Sequence, residues 1–488
     1  MSPKIGMTKK AIIIGKRPIA ESLIRQYEAL DYRVEYRQEL TAENIRNNNY
    51  DELCLLADDG EDDKAVALLS ELAVGYDTEL HDGSRLVCHL LIQKHETLRI
   101  LQTCDLCDSI KRKIDVYPFT MDEVWSRSIV LDYEPITIQS EKHVHLVIFG
   151  MDETAEIMAI QAAHVAHYPN YVRNHSLRTR ITMIDSYAEQ KSENFVKKYQ
   201  HLFDNSYYRV VKPSEEKAVV KFHKPMYEGH REDFVDVEWE FVEAEMWNVE
   251  VREKLKQWAK DEKQLLTVVM ADSDEDKNAA QALYLPNELY EYFIPIHIYK
   301  KQNEDYDVTL PLVRMAKNVK YVYEQCYKQN DAKWSGKMLW SVEIDKDERE
   351  RLWAEESNVK RMSCIYNAMT IPTKMRSLGL DENDWDKFYD IQQQDIEIMA
   401  QVEHNRWSVE ELILGFRPCT DEEREKIAAD VESQKAAYKA RKIHYDLRAY
   451  NDLRSDGTGK LVQVYDLCLT SCLPLIAKSF AEDKGGKV

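Results

Sequence analysis

From Lys10 to Tyr299 short apolar runs alternate with amphipathic stretches. Lys10–Gly15 (KAIIIG), Tyr32–Arg37, Glu52–Ala57 and Arg85–Ile92 have strand length and composition, whereas Ile19–Leu30 and Lys64–Val74 carry helical periodicity and Glu96–Gln102 begins another helix. Strands alternating with helices predict a parallel sheet covered on both faces. The pattern restarts at His143–Gly150 (HVHLVIFG), with a helix over Thr154–His167, a strand at Arg180–Asp185, a strand at Lys263–Ala271, a helix over Asp274–Leu285 and a closing strand at Phe293–Tyr299. Between 186 and 262 aromatic and acidic residues interleave without a clear period.

From Asp331 the strand signals stop. Arg349–Leu380 and Asp390–Gly415 read as helices, Thr420–Arg441 as a charged helical insertion, Gly457–Gly459 as a turn and Leu461–Phe480 as a last amphipathic helix. The predicted fold class is α/β: one or two Rossmann-like parallel-sheet units followed by an all-helical module. The boundaries fall at 8–140, 141–330, a connector over 331–395, and 396–482.

The chain has 488 residues, 44% of them hydrophobic, enough for several cores. Its formal net charge is −21, which repels nucleic-acid backbones and anionic membranes at long range. No apolar stretch approaches the ~20 residues of a membrane span, and the polar N-terminus lacks the apolar core of a signal peptide. A cytoplasmic protein is expected. Nine cysteines, several inside apolar runs, suit a reducing compartment. Cys104-x-x-Cys107 has no second pair and His164-x-x-His167 no third ligand, so no metal is expected.

Gly15-Lys16-Arg17-Pro18-Ile19-Ala20 lies between a strand and a helix, where a dinucleotide fingerprint belongs. Gly15 suits the tight turn and Ala20 close helix packing, while Arg17 replaces the middle glycine. Lys16 and Arg17 at a helix N-terminus attract an anion. Glu35 lies 20 residues after Gly15, the offset of a ribose-binding acid, and Arg37 is placed for a 2′-phosphate. The spacing resembles the nucleotide-binding (TrkA-N type) Rossmann domains of potassium-transport regulators. The alternative is a degenerate unit that keeps its shape without a ligand. In the second unit Asp152 and Glu153 follow Gly150; they suit a helix start and repel a phosphate.

The most specific pattern lies near the C-terminus. Glu403-His404-Asn405-Arg406-Trp407, then Leu414-Gly415-Phe416, then Lys442-Ile443-His444-Tyr445-Asp446-Leu447, with Tyr450, Leu453 and Asp466 beyond, resembles the ryanodine-receptor (RyR) repeat. Upstream, Glu356-Ser357-Asn358 and Ile371-Pro372-Thr373-Lys374-Met375-Arg376 resemble the segment that precedes that repeat in bacterial Rossmann–RyR proteins. The departures are Tyr450 for the usual tryptophan and the insertion around 420–440. The resemblance implies a ligand-sensing or assembly module.

Glu403, Arg406 and Trp407 fall at i, i+3 and i+4, on one helical face. With Lys442, His444, Asp446 and Tyr450 they form a candidate pocket for a flat anionic ligand; the alternative is a packed core with internal ion pairs. No GxSxG, HExxH or Walker A motif occurs. The leading expectation is a homodimeric sensor of a small anionic ligand, a nucleotide such as NAD(P) or an ADP-ribose-like molecule. An NAD(P)-dependent oxidoreductase and a purely structural assembly module are the alternatives.

Overall fold

The computed structural model describes residues 9–15, 19–39, 41, 50–58, 60–76, 85–130, 135–213, 215, 218–225, 233–300, 310–329, 344–381, 384–429, 431–453 and 462–477. The first unit runs β1 (Lys10–Gly15), α1 (Ile19–Ala29), β2 (Arg33–Arg37), β3 (Glu52–Leu56), α2 (Asp62–Gly75), β4 (Leu86–Leu91), α3 (His95–Thr103), α4 (Asp108–Lys111), β5 (Ile114–Phe119) and α5 (Met121–Val130). Its five strands are all parallel in the order β2-β1-β3-β4-β5. Residues 11–14 of β1 are completely buried, because one face packs with Leu53, Leu69 and Leu90 and the other with Leu23 and Tyr27.

The second unit runs β6 (His143–Phe149), α6 (Glu153–Val165), α7 (Asn170–Arg173), β7 (Thr179–Asp185), α8 (Ala188–Lys198), α9 (Gln200–Asp204), β8 (Tyr207–Val211), β9 (Val219–His223), β10 (Val237–Glu243), α10 (Val249–Lys260), β11 (Gln264–Met270), α11 (Glu275–Ala282), α12 (Asn287–Glu291) and β12 (Ile296–Ile298). Its seven strands lie in the order β12-β11-β6-β7-β10-β8-β9. Five of them, β10-β7-β6-β11-β12, give the 3-2-1-4-5 order of a doubly wound nucleotide-binding sheet. The antiparallel β8–β9 pair extends that sheet beyond β10. This is what the segment 186–262 hides: an excursion of two strands, which interrupts the helix–strand rhythm.

The helical region comprises α13 (Leu310–Gln329), α14 (Lys346–Glu355), α15 (Asn358–Ser377), a 3-10 segment Trp385–Asp390, α16 (Gln393–Ile413), α17 (Asp421–Ala429), α18 (Val431–Ala440) and α19 (Val464–Ser471). It is not wholly helical, since two-residue strands β13 (Arg417–Pro418) and β14 (Ile443–His444) bridge in parallel around α17 and α18. The helix expected over Arg349–Leu380 is broken at Glu356, whose Oε1 accepts the Ser357 N–H at 2.9 Å. α13, expected within the second unit, packs on α14, α15 and α19 instead.

One apolar core runs through all three parts, including Tyr117 and Trp125 from the first unit, Leu146 and Ile181 from the second, and Trp353, Met375 and Leu412 from the helices. A buried charge cluster fastens the helices to β5. Asp115, 2% exposed, lies 2.7 Å from Arg85 and 3.5 Å from both Lys317 and Arg361. Trp353 Nε1 donates to Tyr117 Oη at 3.1 Å.

Candidate functional site

In open α/β sheets ligands bind beyond the carboxyl ends of the strands, where the strand order reverses. In the first unit that point lies between β1 and β3. Gly15 has φ +139°, and a Cβ there would meet Leu56 O at 2.5 Å, so only glycine closes β1 against β3. Ala20 is fully buried beside Ala11, Ile13 and Leu23. Lys16 and Arg17 lie outside the described residues. Glu35 does not end its strand; β2 runs on to Arg37, and Glu35 stands opposite Ile12. Its carboxylate takes the Tyr50 hydroxyl and pairs with Arg37, so acid and cation answer each other. The next strand end is sealed by Asp62, 2% exposed, which accepts the N–H groups of Gln93 and Lys94, each at 2.9 Å. The sequence reading missed Asp62; an acid at a helix start is too common to single out.

In the second unit the same position is acidic. Asp152 caps α6 by accepting Ala155 N–H at 3.2 Å, as its place after Gly150 predicts, and also accepts Ser273 N–H. Asp185 accepts Tyr187 N–H at 2.9 Å and holds Lys191 at 2.7 Å, while Asp272 pairs with Lys277. A pyrophosphate placed there meets carboxylates.

The residues that carry the RyR resemblance divide between two faces of α16. On the inner face Arg406 bonds Glu403 at 2.8 Å and Glu410 at 2.7 Å, Lys374 bonds Glu403 at 2.6 Å, and Ser363 bonds Glu410 at 3.0 Å. Burial pushes the Glu403 carboxyl up, but Arg406 and Lys374 outweigh it and hold the group down at about 2. Glu403 and Arg406 thus serve the interior rather than an open pocket. On the other face Trp407, half-buried, meets the His444 ring at 4.9 Å, and His404 lies 5.9 Å from Tyr450. His404 Nδ1 faces Asp466 Oδ2 at 3.2 Å, and its Nε2 meets Arg448 O at 2.8 Å. Burial drives the His444 imidazole down to about 3, so it is neutral at pH 7. Asp446 pairs with Lys435 at 3.0 Å. Lys442 is exposed, has φ +60°, and rests over Phe416 at 4.3 Å. His444 thus joins Trp407, while Glu403 and Arg406 turn away.

A cleft opens where the three parts meet. It has a volume of about 1020 Å³, including its mouth, and is walled by α3, α6, the end of α8, α15 and α16. Tyr199 offers a ring with Arg99 Cζ at 5.7 Å and Lys198 Nζ at 5.5 Å from its centroid. Lys198 also pairs with Glu156 at 2.7 Å. Gln102 and Gln161 both donate to Glu123 at 3.2 Å. His164 stacks on Tyr366 with centroids 4.1 Å apart and rings 6° from parallel, and its buried Nδ1 has no hydrogen-bond partner among the described residues. Burial, then Arg406, pushes that imidazole well below its ordinary range. Near the cleft mouth burial opposes the charge on His95, but Asp122 at 3.2 Å prevails and raises its pKa. The sequence reading placed no site here, because these side chains come from segments far apart in the chain.

Among the described residues no cluster of three or more His, Cys, Asp or Glu side chains is arranged to hold a metal ion, and no helix is long and apolar enough to cross a membrane. His167 is engaged by Asp236 at 2.7 Å and by Ala163 O at 2.9 Å, and all nine cysteines are free. No protein family, curated protein or solved structure matches the chain.

Proposed function

We propose that this protein is a regulatory ligand sensor whose signal, a nucleotide or nucleotide-derived molecule, binds in the cleft between its three parts. The observation that carries the reading is that one cleft is walled by both sheet units and the helical region, and sets two cations around an aromatic ring. Such a site takes a base by stacking and a phosphate through the charge of Arg99, while the exposed Glu96 and Glu153, which oppose a phosphate at their own positions, suit ribose hydroxyls.

Coupling follows from Glu410. It lines the cleft and ends the ion-pair chain that joins α15 to α16. A ligand there shifts assembly or partner contacts only if it binds one arrangement of the three parts better than another. The resemblance of residues 350–480 to the RyR repeat favours the same role. Exposed Trp247, Leu283, Tyr284, Tyr290 and Phe293 around α10 to α12 favour a homodimer. Light scattering at the single-chain mass of 57.3 kDa at micromolar concentration contradicts that assembly.

The test is a melting panel of NAD(H), NADP(H), ATP, ADP-ribose and cyclic nucleotides. A cognate ligand at a hundredfold excess over Kd adds about 2.7 kcal/mol of stability. An anion at Gly15–Ala20 instead is favoured by the tight turn at Gly15. The two sites separate in the panel, since only the cleft reading makes binding sensitive to Arg99→Ala. No shift with any member of the panel overturns both.

A further inference from the structure

We infer that the helical region carries a second site, for a phosphate-bearing small molecule, built from Arg448, Arg424 and Lys435 around the ring of Tyr445. The site lies between α17, α18 and the segment after β14, and shares no residue with the three-part cleft.

Three cations converge on one ring. Arg448 Cζ lies 4.7 Å, Arg424 Cζ 5.4 Å and Lys435 Nζ 5.6 Å from the Tyr445 centroid. The nearby carboxylate of Asp446 is held by Lys435 at 3.0 Å. The charge of Arg448 and Lys435 beside the single carboxylate of Asp446, with Arg424 on the same ring, favours an anion in a chain whose net charge is −21.

Arg448 is the centre of the site. It is 8% exposed, and among the described residues its Nε and Nη2 have no hydrogen-bond acceptor. These two N–H groups form one edge of the guanidinium fork, the edge that binds two oxygens of a phosphate side by side. Buried donors are nearly always paired, so an orphaned pair on one edge marks a missing acceptor. The fold sets this residue in place, because Arg448 O accepts from His404 Nε2 at 2.8 Å. Burial, then Arg424, pushes the Arg448 pKa down, as expected of a cation without enough counter-charge. Arg424 itself is anchored, donating to Tyr445 O at 3.2 Å and to Cys419 O at 3.4 Å. Arg424, Lys435 and Tyr445, which gather at the same ring, are part-exposed.

The test is calorimetric titration of the full chain with inorganic phosphate and, separately, with a nucleoside monophosphate, at constant ionic strength against chloride. Both wild type and Arg99→Ala are expected to bind through this site. Arg448→Lys keeps the charge but loses the fork, and weakens binding about tenfold or more. Arg424→Gln weakens it too, and carries the test if Arg448→Lys does not fold. Tighter binding of the monophosphate identifies an organic phosphate as the ligand; equal binding identifies phosphate itself. Absence of binding by either probe, or affinity unchanged in both arginine variants, overturns the inference. Loss of binding in Arg99→Ala alone assigns the ligand to the cleft and likewise overturns it.

Discussion

On the inner face of α16 every charged group is answered by an opposite charge, whereas around the three-part cleft the pairing is partial: Lys198 holds Glu156 and His95 holds Asp122, but Arg99 is left over. Lys374, Glu403, Arg406 and Glu410 are each at most 3% exposed, yet every one has an opposite charge within 2.8 Å. At the cleft Arg99 is exposed and lies over Tyr199; among the described residues it has no carboxylate at ion-pair distance and the buried His164 Nδ1 has no hydrogen-bond partner. Burial alone therefore does not separate architecture from a binding site; the state of pairing does. A matched buried network holds two helices in register. Groups left unmatched beside a cavity are where a ligand gains free energy on binding.

The comparison breaks most sharply at Arg406. Arg406→Met leaves Glu403 and Glu410 buried without their shared cation, and is expected to lower stability by about 3–5 kcal/mol in urea unfolding. A loss under about 1 kcal/mol would mean that water reaches the network.

Glu411, on the same helix but off that network, sharpens the contrast. Its Oε2 is buried without a hydrogen-bond partner among the described residues, and burial raises its carboxyl to about 7. Between its ordinary pKa of 4.5 and about 7 the folded state keeps a proton that the unfolded state has lost. Stability is therefore lost as pH rises through that window, by about 3 kcal/mol in all. Glu411→Gln removes this slope and is more stable than wild type at pH 8; equal stabilities at pH 5 and pH 8 for both proteins would refute the assignment. Glu403 has the opposite sign. Held at about 2, it contributes stability above pH 4.5 that disappears as pH falls through 2.

At the cleft the expected effect is on binding. Arg99→Ala weakens the nucleotide-type ligand about tenfold, near 1.4 kcal/mol, while unfolding free energy changes by less than about 0.5 kcal/mol. A stability loss with unchanged affinity would make Arg99 a structural residue. The smallest effect belongs to Lys442, a non-glycine residue at φ +60° just after α18. Lys442→Gly relieves that conformation and adds about 0.5–1 kcal/mol, with ligand affinity unchanged. Reduced affinity would return Lys442 to a binding role.

The α/β pattern was legible because fully buried strands such as residues 11–14 read as short apolar runs. The hairpin β8–β9 was not, since Val219, Val220 and Phe222 are exposed on an edge strand and carry no alternation. Spacing placed Glu403, Arg406 and Trp407 on one helical face, but could not say that the face divides: Lys374, 29 residues upstream of Glu403, draws Glu403 inward, Arg406 follows by pairing with Glu403 and Glu410, and His444 meets Trp407 on the other side. Glu35 matched the offset of a ribose-binding acid, yet offset counts residues along the chain and not where the strand stops. The cleft had no signature at all, for Arg99, Lys198, His164 and Glu410 meet only through tertiary packing.

Hydrogen exchange of the full chain with and without the ligand that the melting panel identifies tests the central claim most directly. A molecule seated between the three parts slows exchange together in His95–Thr103, Glu153–Val165 and the second half of Gln393–Ile413. Protection confined to Ile19–Ala29 beside Gly15, with those three segments unchanged, would contradict it.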